Sequence, residues 1–160
     1  MVKLLLHQPL SIIDKTICVC SRGKYCHVST NINDIIYEAR PFVGVRKFEI
    51  SQLNNIETKN KIIDIYNVPN ISLKNQKNLA TFFDRQLGKS YDYFGALGFI
   101  LYTTRQSRID SGKWICSELA TAGFEKIGNS LLGRCNPWKI SPVILSYSPH
   151  IQYEKTIVIK

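Results

Sequence analysis

Cys116 is the residue whose surroundings point most directly to chemistry. It lies in Lys113-Trp114-Ile115-Cys116-Ser117-Glu118-Leu119-Ala120-Thr121-Ala122-Gly123-Phe124, after the glycine-containing loop Asp110-Ser111-Gly112. Leu119, Ala120, Gly123, Phe124 and Ile127 recur at offsets of one, three and four, which puts them on one helix face. Cys116 then falls at or just before the first helical turn. There the leading backbone N–H groups lack internal partners, and the helix dipole places partial positive charge. Both effects stabilise a thiolate and lower the thiol pKa. The same N–H groups can hold a developing oxyanion. Taken alone, a cysteine at a helix start is better explained as a small apolar residue packed behind Trp114. The chemical reading therefore needs a base from elsewhere in the chain.

His27 and Glu38 are the candidates. Residues 25–31 and 35–40 read as two strands around the turn Asn31-Ile32-Asn33-Asp34, the second stopped by Pro41. A two-residue turn at Asn33-Asp34 pairs position 29 with 38 and 27 with 40. A turn centred one residue earlier pairs 27 with 38. In either register His27 and Glu38 share a face, directly across or diagonal. A carboxylate beside an imidazole fixes its tautomer and stabilises the imidazolium. That imidazolium would pair with the Cys116 thiolate if the helix start packs over the hairpin, giving nucleophile, base and orienting group. Taken singly, His27 is explained as a satisfied strand histidine and Glu38 as a solvated strand residue. His7 and His150 have no polar company in the sequence and receive no role. Glu118 complements the helix N-terminus.

These residues need elements to hold them. Residues 10–20, rich in β-branched Ile12, Ile13, Ile17 and Val19, read as a strand entry. Ser21-Arg22-Gly23-Lys24 reads as a turn, residues 44–50 as a further strand, 54–59 as a polar loop and 61–68 as a strand ended by Pro69. Ser72 is an N-cap for a helix over 73–87, with Gly88 at the C-cap. Gly88-Lys89-Ser90-Tyr91-Asp92-Tyr93 is a turn into the apolar segment 94–102, which is helical in pattern. A polar loop over 103–112 leads to the Cys116 helix. Residues 131–138 are irregular and 151–159 form a last strand.

The 160 residues suit a single domain with one sizeable core, and 44% apolar with 21% charged residues is ordinary for a globular chain. No run approaches the ~20 apolar residues that cross a bilayer. The opening Met1-Val2-Lys3-Leu4-Leu5-Leu6-His7 is too short in its apolar part for a signal peptide. Five cysteines, an odd count, point to free thiols in a reducing, cytoplasmic setting. The net charge of +9 is spread along the chain. Such a diffuse field favours anionic partners such as a lipid surface, a cell-wall polymer or nucleic acid. No helix clusters Arg and Lys with Asn or Gln, so sequence-specific nucleic-acid binding is not expected.

Four blocks in order carry a resemblance: Tyr25-Cys26-His27-Val28-Ser29, Ile36-Tyr37-Glu38-Ala39, Gly88-Lys89-Ser90-Tyr91-Asp92-Tyr93 and Ile115-Cys116-Ser117-Glu118-Leu119. Together they resemble the circularly permuted branch of the NlpC-type papain-like superfamily, the YiiX/YaeF-like group related to lecithin–retinol acyltransferase. In that branch the strand histidine precedes the helix cysteine. The resemblance implies an α+β, permuted papain-like fold over residues 1–160, with an antiparallel sheet packed against a few helices. It implies Cys116 as nucleophile, His27 as base and Glu38 as third polar residue, with Tyr91 and Asp92 near the substrate cleft. The implied activity is hydrolysis or transfer of an acyl group from an amide or ester, in cell-wall peptide or lipid, through a thioester. It implies no metal and no cofactor.

Two other readings use the same residues. Cys18, Cys20, Cys26 and His27 cluster, but their spacing matches no ordinary zinc site, and adjacent strand residues 26 and 27 point to opposite faces. A catalytically inactive module of the same fold would use its charge to bind an anionic surface or nucleic acid.

Overall fold

The computed structural model describes residues 1–20, 23–93, 95–96, 112–133 and 140–160. The segment 94–102, the loop 103–112 and the stretch 131–138 lie largely outside these residues, as do two positions of the turn at 21–24. Among the described residues, no helix is long and apolar enough to cross a membrane.

A six-stranded antiparallel sheet organises the chain in the order β4-β3-β2-β1-β5-β8. Its strands are β1 (Val2–His7), β2 (His27–Ile32), β3 (Ile35–Arg40), β4 (Gly44–Glu49), β5 (Ile62–Asn67) and β8 (Gln152–Val158). The α+β class and the antiparallel sheet with a few helices are as the resemblance implies. The β2–β3 hairpin turns at Asn33 and Asp34, both at positive φ, which is the two-residue turn whose twist suits a hairpin. Thr30 therefore pairs with Tyr37 and Ile32 with Ile35, the first of the two registers the sequence allows.

Alternation sorts the side chains between two cores. Leu4, Leu6, Val28, Ala39 and Val45 face helices α3 (Leu73–Asp84) and α4 (Cys116–Lys126), meeting Leu79, Phe83, Leu119 and Phe124. Leu5, Ile36, Phe48, Ile63 and Ile65 face the other way, onto Leu53 and Ile159. Strand β1, covered on both faces, is consequently apolar without alternation and does not read as an amphipathic strand. Ser72 caps α3 by accepting the Asn75 N–H at 3.2 Å. Gly123 lets α4 lie close on α3, since a Cβ there would fall 2.8 Å from Phe83 Cζ. Gly44 serves the sheet edge in the same way: a Cβ would sit 2.4 Å from the Lys89 carbonyl oxygen.

Three expectations are corrected. Residues 12–20 form helix α1 (Ile12–Cys20), not a strand. The Asp14 N–H bonds Ser11 Oγ at 3.0 Å and the Ser11 N–H bonds Asp14 Oδ2 at 3.3 Å. This capping box outweighs the β-branched composition. The expected loop 54–59 begins inside α2 (Leu53–Ile56), which follows a 3₁₀ turn (Ile50–Gln52) opened by a Glu49–Gln52 capping box. Helix α3 ends at Asp84 rather than 87, and Gly88 at φ +78° closes the turn beyond it. Two short strands, β6 (Ser90–Tyr91) and β7 (Lys113–Trp114), pair in parallel and bring Tyr91 beside the start of α4. Helix α5 (Pro142–Ser146), with Ser141 as cap and Pro142 in its first turn, is an element the sequence reading passed over.

Candidate active site

Cys116 occupies the first position of α4, after the extended cap residue Ile115, whose side chain makes no capping bond. The leading N–H groups of α4 are thus left for other acceptors. The Ser117 and Val28 N–H groups both turn to the sulfur. Val28 follows His27, the first residue of β2. The thiol therefore meets the imidazole where the strand begins, although α4 packs on the opposite face of the sheet from the one that His27 shares with Glu38.

His27 Nε2 and Glu38 Oε2 are 2.8 Å apart, diagonal across the hairpin. The same ring bonds the Cys116 thiol, which leaves Nδ1 for the sulfur. All three groups are nearly covered, with Cys116 5% exposed, His27 8% and Glu38 1%. Burial alone would raise the thiol. The His27 charge, its hydrogen bond and the two N–H groups outweigh burial and hold Cys116 below its ordinary pKa. Burial likewise disfavours an imidazolium, yet the Cys116 charge, the bond to Cys116 and the bond to Glu38 raise His27 to about 9. Glu38 is buried too, but the His27 bond and charge and the Arg40 charge keep its carboxyl well below the usual range. A thiolate, an imidazolium and an oriented carboxylate can attack a carbonyl carbon and return a proton to the leaving atom.

Tyr91 is buried close enough to feel the Cys116 charge, and burial raises its phenol. Its ring packs edge-on to Tyr93 at 5.3 Å, and Tyr93 meets the exposed Phe42 at 5.9 Å. Phe42 sits at φ +66° in the β3–β4 turn and donates its N–H to Tyr93 Oη at 2.6 Å. Asp92 is buried, with Oδ1 accepting the Gly95 N–H at 2.9 Å.

Residues that sequence reasoning missed surround this set. Arg46, opposite Glu38 on β4, places Nε at 2.8 Å and an Nη at 2.5 Å from Glu38 Oε1. Its signal was the hairpin register extended by one strand. His7 lacks company in the sequence but not in the fold. It pairs with His27 across β1 and β2, ring centroids 4.8 Å apart at 69°. Its Nε2 lies 3.1 Å from Ser29 Oγ, while Nδ1 has no hydrogen-bond partner among the described residues and stands 3.8 Å from Glu57 Oε1. Glu57 is held by Arg40 through bonds of 2.7 and 2.8 Å.

Burial, with the His27 charge behind it, pushes the His7 pKa down, so the folded protein keeps this ring neutral. The unfolded chain protonates it below about 6.5 and then binds more protons than the native state, so stability falls with pH. We expect the thermal midpoint to drop as pH falls from 6.5 to 5, at up to about 1.4 kcal/mol per pH unit for each proton taken up on unfolding. In His7→Gln, which keeps a polar partner for Ser29, calorimetry is expected to show a shallower acid slope. An unchanged slope would mean that His7 is not its source.

The cysteines near α1 differ from Cys116. Burial raises Cys26 to about 12 and also raises Cys18. Lys61 Nζ lies 3.8 Å from Cys26 Sγ and 2.5 Å from Asp14 Oδ2. Among the described residues, no three His, Cys, Asp or Glu side chains converge as a metal site would require.

No protein-family profile and no curated protein matches the sequence. Among solved structures, the chain is similar to the metalloprotein YiiX from Escherichia coli O157:H7, DUF1105. Identity is 17%, the TM-score is 0.67, and the match covers 99% of this chain and 96% of that one. The chain thus has a YiiX-like fold along essentially its whole length.

Proposed function

We propose that this chain is a cysteine-dependent hydrolase or acyltransferase that cleaves an amide or ester through a thioester on Cys116. One observation carries the reading: a thiol at a helix mouth bonded to an imidazole that is itself bonded to a buried carboxylate. The Cys116 thiolate attacks the substrate carbonyl carbon, forming a C–S bond. The tetrahedral oxyanion is held by backbone N–H groups at the start of α4. As the intermediate collapses, the bond to the leaving nitrogen or oxygen breaks, and His27 gives that atom its proton. Water or a second acceptor, deprotonated by His27, then attacks the thioester and restores the thiolate. Tyr91, backed by Tyr93 and Phe42, forms the apolar wall along which the acyl group approaches. The resemblance to NlpC-type enzymes puts cell-wall peptides and lipid esters or amides first among substrates to try.

The YiiX neighbour is described as a metalloprotein, and the described residues here do not fit a bound metal ion. The ammonium of Lys61 stands beside Cys26, where a cation would compete with it. No step is assigned to a metal.

The test is thiol reactivity. A lowered pKa increases thiolate at pH 6, while the falling nucleophilicity of a more acidic thiol takes back part of the gain. Iodoacetamide read out by peptide mass spectrometry is expected to label Cys116 roughly 30- to 100-fold faster than Cys18 or Cys26. Equal labelling of all five cysteines would remove the enzyme reading and leave a binding module of this fold.

A further inference from the structure

We infer that Arg46 is a positioning residue, which assigns one Glu38 oxygen to itself and thereby leaves the other to aim the His27 ring. This rests on the reading of Cys116 and His27 as nucleophile and base. Glutamate has one more rotatable bond than aspartate, and its carboxylate can present either oxygen to a neighbour. Here the choice is made from the far side. Two N–H groups of Arg46 converge on Oε1, at 2.8 and 2.5 Å. Oε2 is left for His27 Nε2, at 2.8 Å. A planar guanidinium delivers two donors in fixed relative directions, which an ammonium does not.

The second guanidinium nearby does not do this work. Arg40 commits an Nη to both oxygens of Glu57, and its Nε stays 3.9 Å from Glu38 Oε1. Arg40 supplies charge to the cluster and Arg46 supplies direction. The arrangement follows from register. Glu38 pairs with Arg46 across β3 and β4, so one strand pair sets the distance between carboxylate and guanidinium. The adjoining pair sets the distance between carboxylate and ring. The groups facing Glu38 are His27 from β2, His7 from β1, Arg40 from β3 and Arg46 from β4. Those facing Cys116 are His27, Cys26 and Tyr91. Arg46 is the only one of the arginine pair bonded to Glu38 within hydrogen-bond distance, so its loss frees the carboxylate to rotate.

The test uses two variants and two readouts. In Arg46→Met, nitrogen-resolved NMR of the His27 ring is expected to lose the Nε2–H signal of a carboxylate-bound imidazole. Iodoacetamide labelling of Cys116 at pH 6 is expected to fall roughly threefold, with the acid limb of its pH profile displaced upward, because a weaker imidazolium leaves less thiolate while the less acidic thiolate is more nucleophilic. Labelling of Cys18 and Cys26 stays as in the wild type. Arg46→Lys keeps the charge without the paired donors and is expected to recover less than half of the lost rate. It also stands in for the methionine variant should that one not fold. A wild-type ring signal and rate in either variant overturns the inference, as does full recovery by lysine. If Cys116 of the wild type reacts no faster than Cys26, the enzymatic reading fails by itself. Loss of the ring signal in the Arg46 variants would still uphold the clamp.

Discussion

In His27→Ala, the reactivity of Cys116 near pH 6 is expected to collapse to that of an ordinary buried thiol. Burial raises the Cys116 pKa and the His27 charge lowers it, and in the native protein the imidazolium prevails. Removing the ring leaves burial opposed only by the Val28 and Ser117 N–H groups. The Cys116 pKa then climbs, the thiolate population near pH 6 falls, and the greater nucleophilicity of the less acidic thiolate returns only part of the loss. A net loss of roughly 30- to 100-fold in iodoacetamide labelling follows. Turnover of an ester or amide should fall further, by about 10²- to 10⁴-fold, since the leaving group also loses its proton donor. In the wild type, activity should decline as pH rises through about 9, where His27 gives up its proton. A His27→Ala protein that labels like the wild type would show that the sulfur owes nothing to the ring.

The same thiolate–imidazolium pair explains why stability should be nearly flat between about pH 6.5 and 9. A base with a raised pKa stabilises the fold up to that pKa, and an acid with a lowered pKa stabilises it from below its unfolded value upward. In that interval the folded pair holds one proton, on His27. The unfolded pair also holds one, on the cysteine. The difference in bound protons vanishes, and with it the slope. Below about pH 6.5 the unfolded pair takes up a second proton, on histidine, while the folded thiolate resists one, so the pair adds to the acid slope beside His7, and Glu38 joins as pH falls below the ordinary carboxylate range.

How much of this was legible depended on whether the signal was local. Asn33-Asp34 fixed the hairpin because few pairs of residues accept two positive φ values. Once that turn is set, the period of two puts His27 and Glu38 on one face. Ser72 before α3 and the glycine-led start of α4 were local signals as well. Strand β1 was not: Leu4, Leu5 and Leu6 are all fully buried because both faces are covered, and such a run carries no period. Missing β1 meant missing His7, whose partner is 20 residues away across a strand pair. Arg46 was recoverable by carrying the register on to β4, but its chemistry is visible only when both Glu38 oxygens are accounted for. Residues 12–20 show the opposite failure. Isoleucine and valine content suggested a strand, while the Ser11–Asp14 box and burial of Cys18 set a helix. The meeting of Cys116 with His27 lay beyond any local signal, since the two approach from opposite faces and join only where β2 begins.

Glu38→Gln is expected to disable the ring while leaving the fold close to intact, and the reason is the direction of each hydrogen bond. Arg46 carries donors only, so it demands an oxygen. A glutamine in this place satisfies Arg46 with its carbonyl oxygen and turns its NH₂ toward His27. Nε2 must then accept, which forces the neutral ring's proton onto Nδ1, the nitrogen that faces the sulfur. A ring protonated there cannot take the thiol's proton, and Cys116 loses its base without losing the imidazole. Labelling of Cys116 at pH 6 should fall toward the His27→Ala rate, by roughly 30-fold. Stability should fall by only about 1–2 kcal/mol, because each partner keeps a bond. Glu38→Ala is a harsher change. It leaves the partly exposed Arg46 guanidinium without an acceptor and the buried His27 without its carboxylate, at a cost of about 3 kcal/mol. Thermal melts of the two variants beside their labelling rates separate the roles. Equal stability loss in both would reduce Glu38 to a structural ion-pair partner. Wild-type labelling in Glu38→Gln would show that Arg46 does not dictate which way the side chain faces.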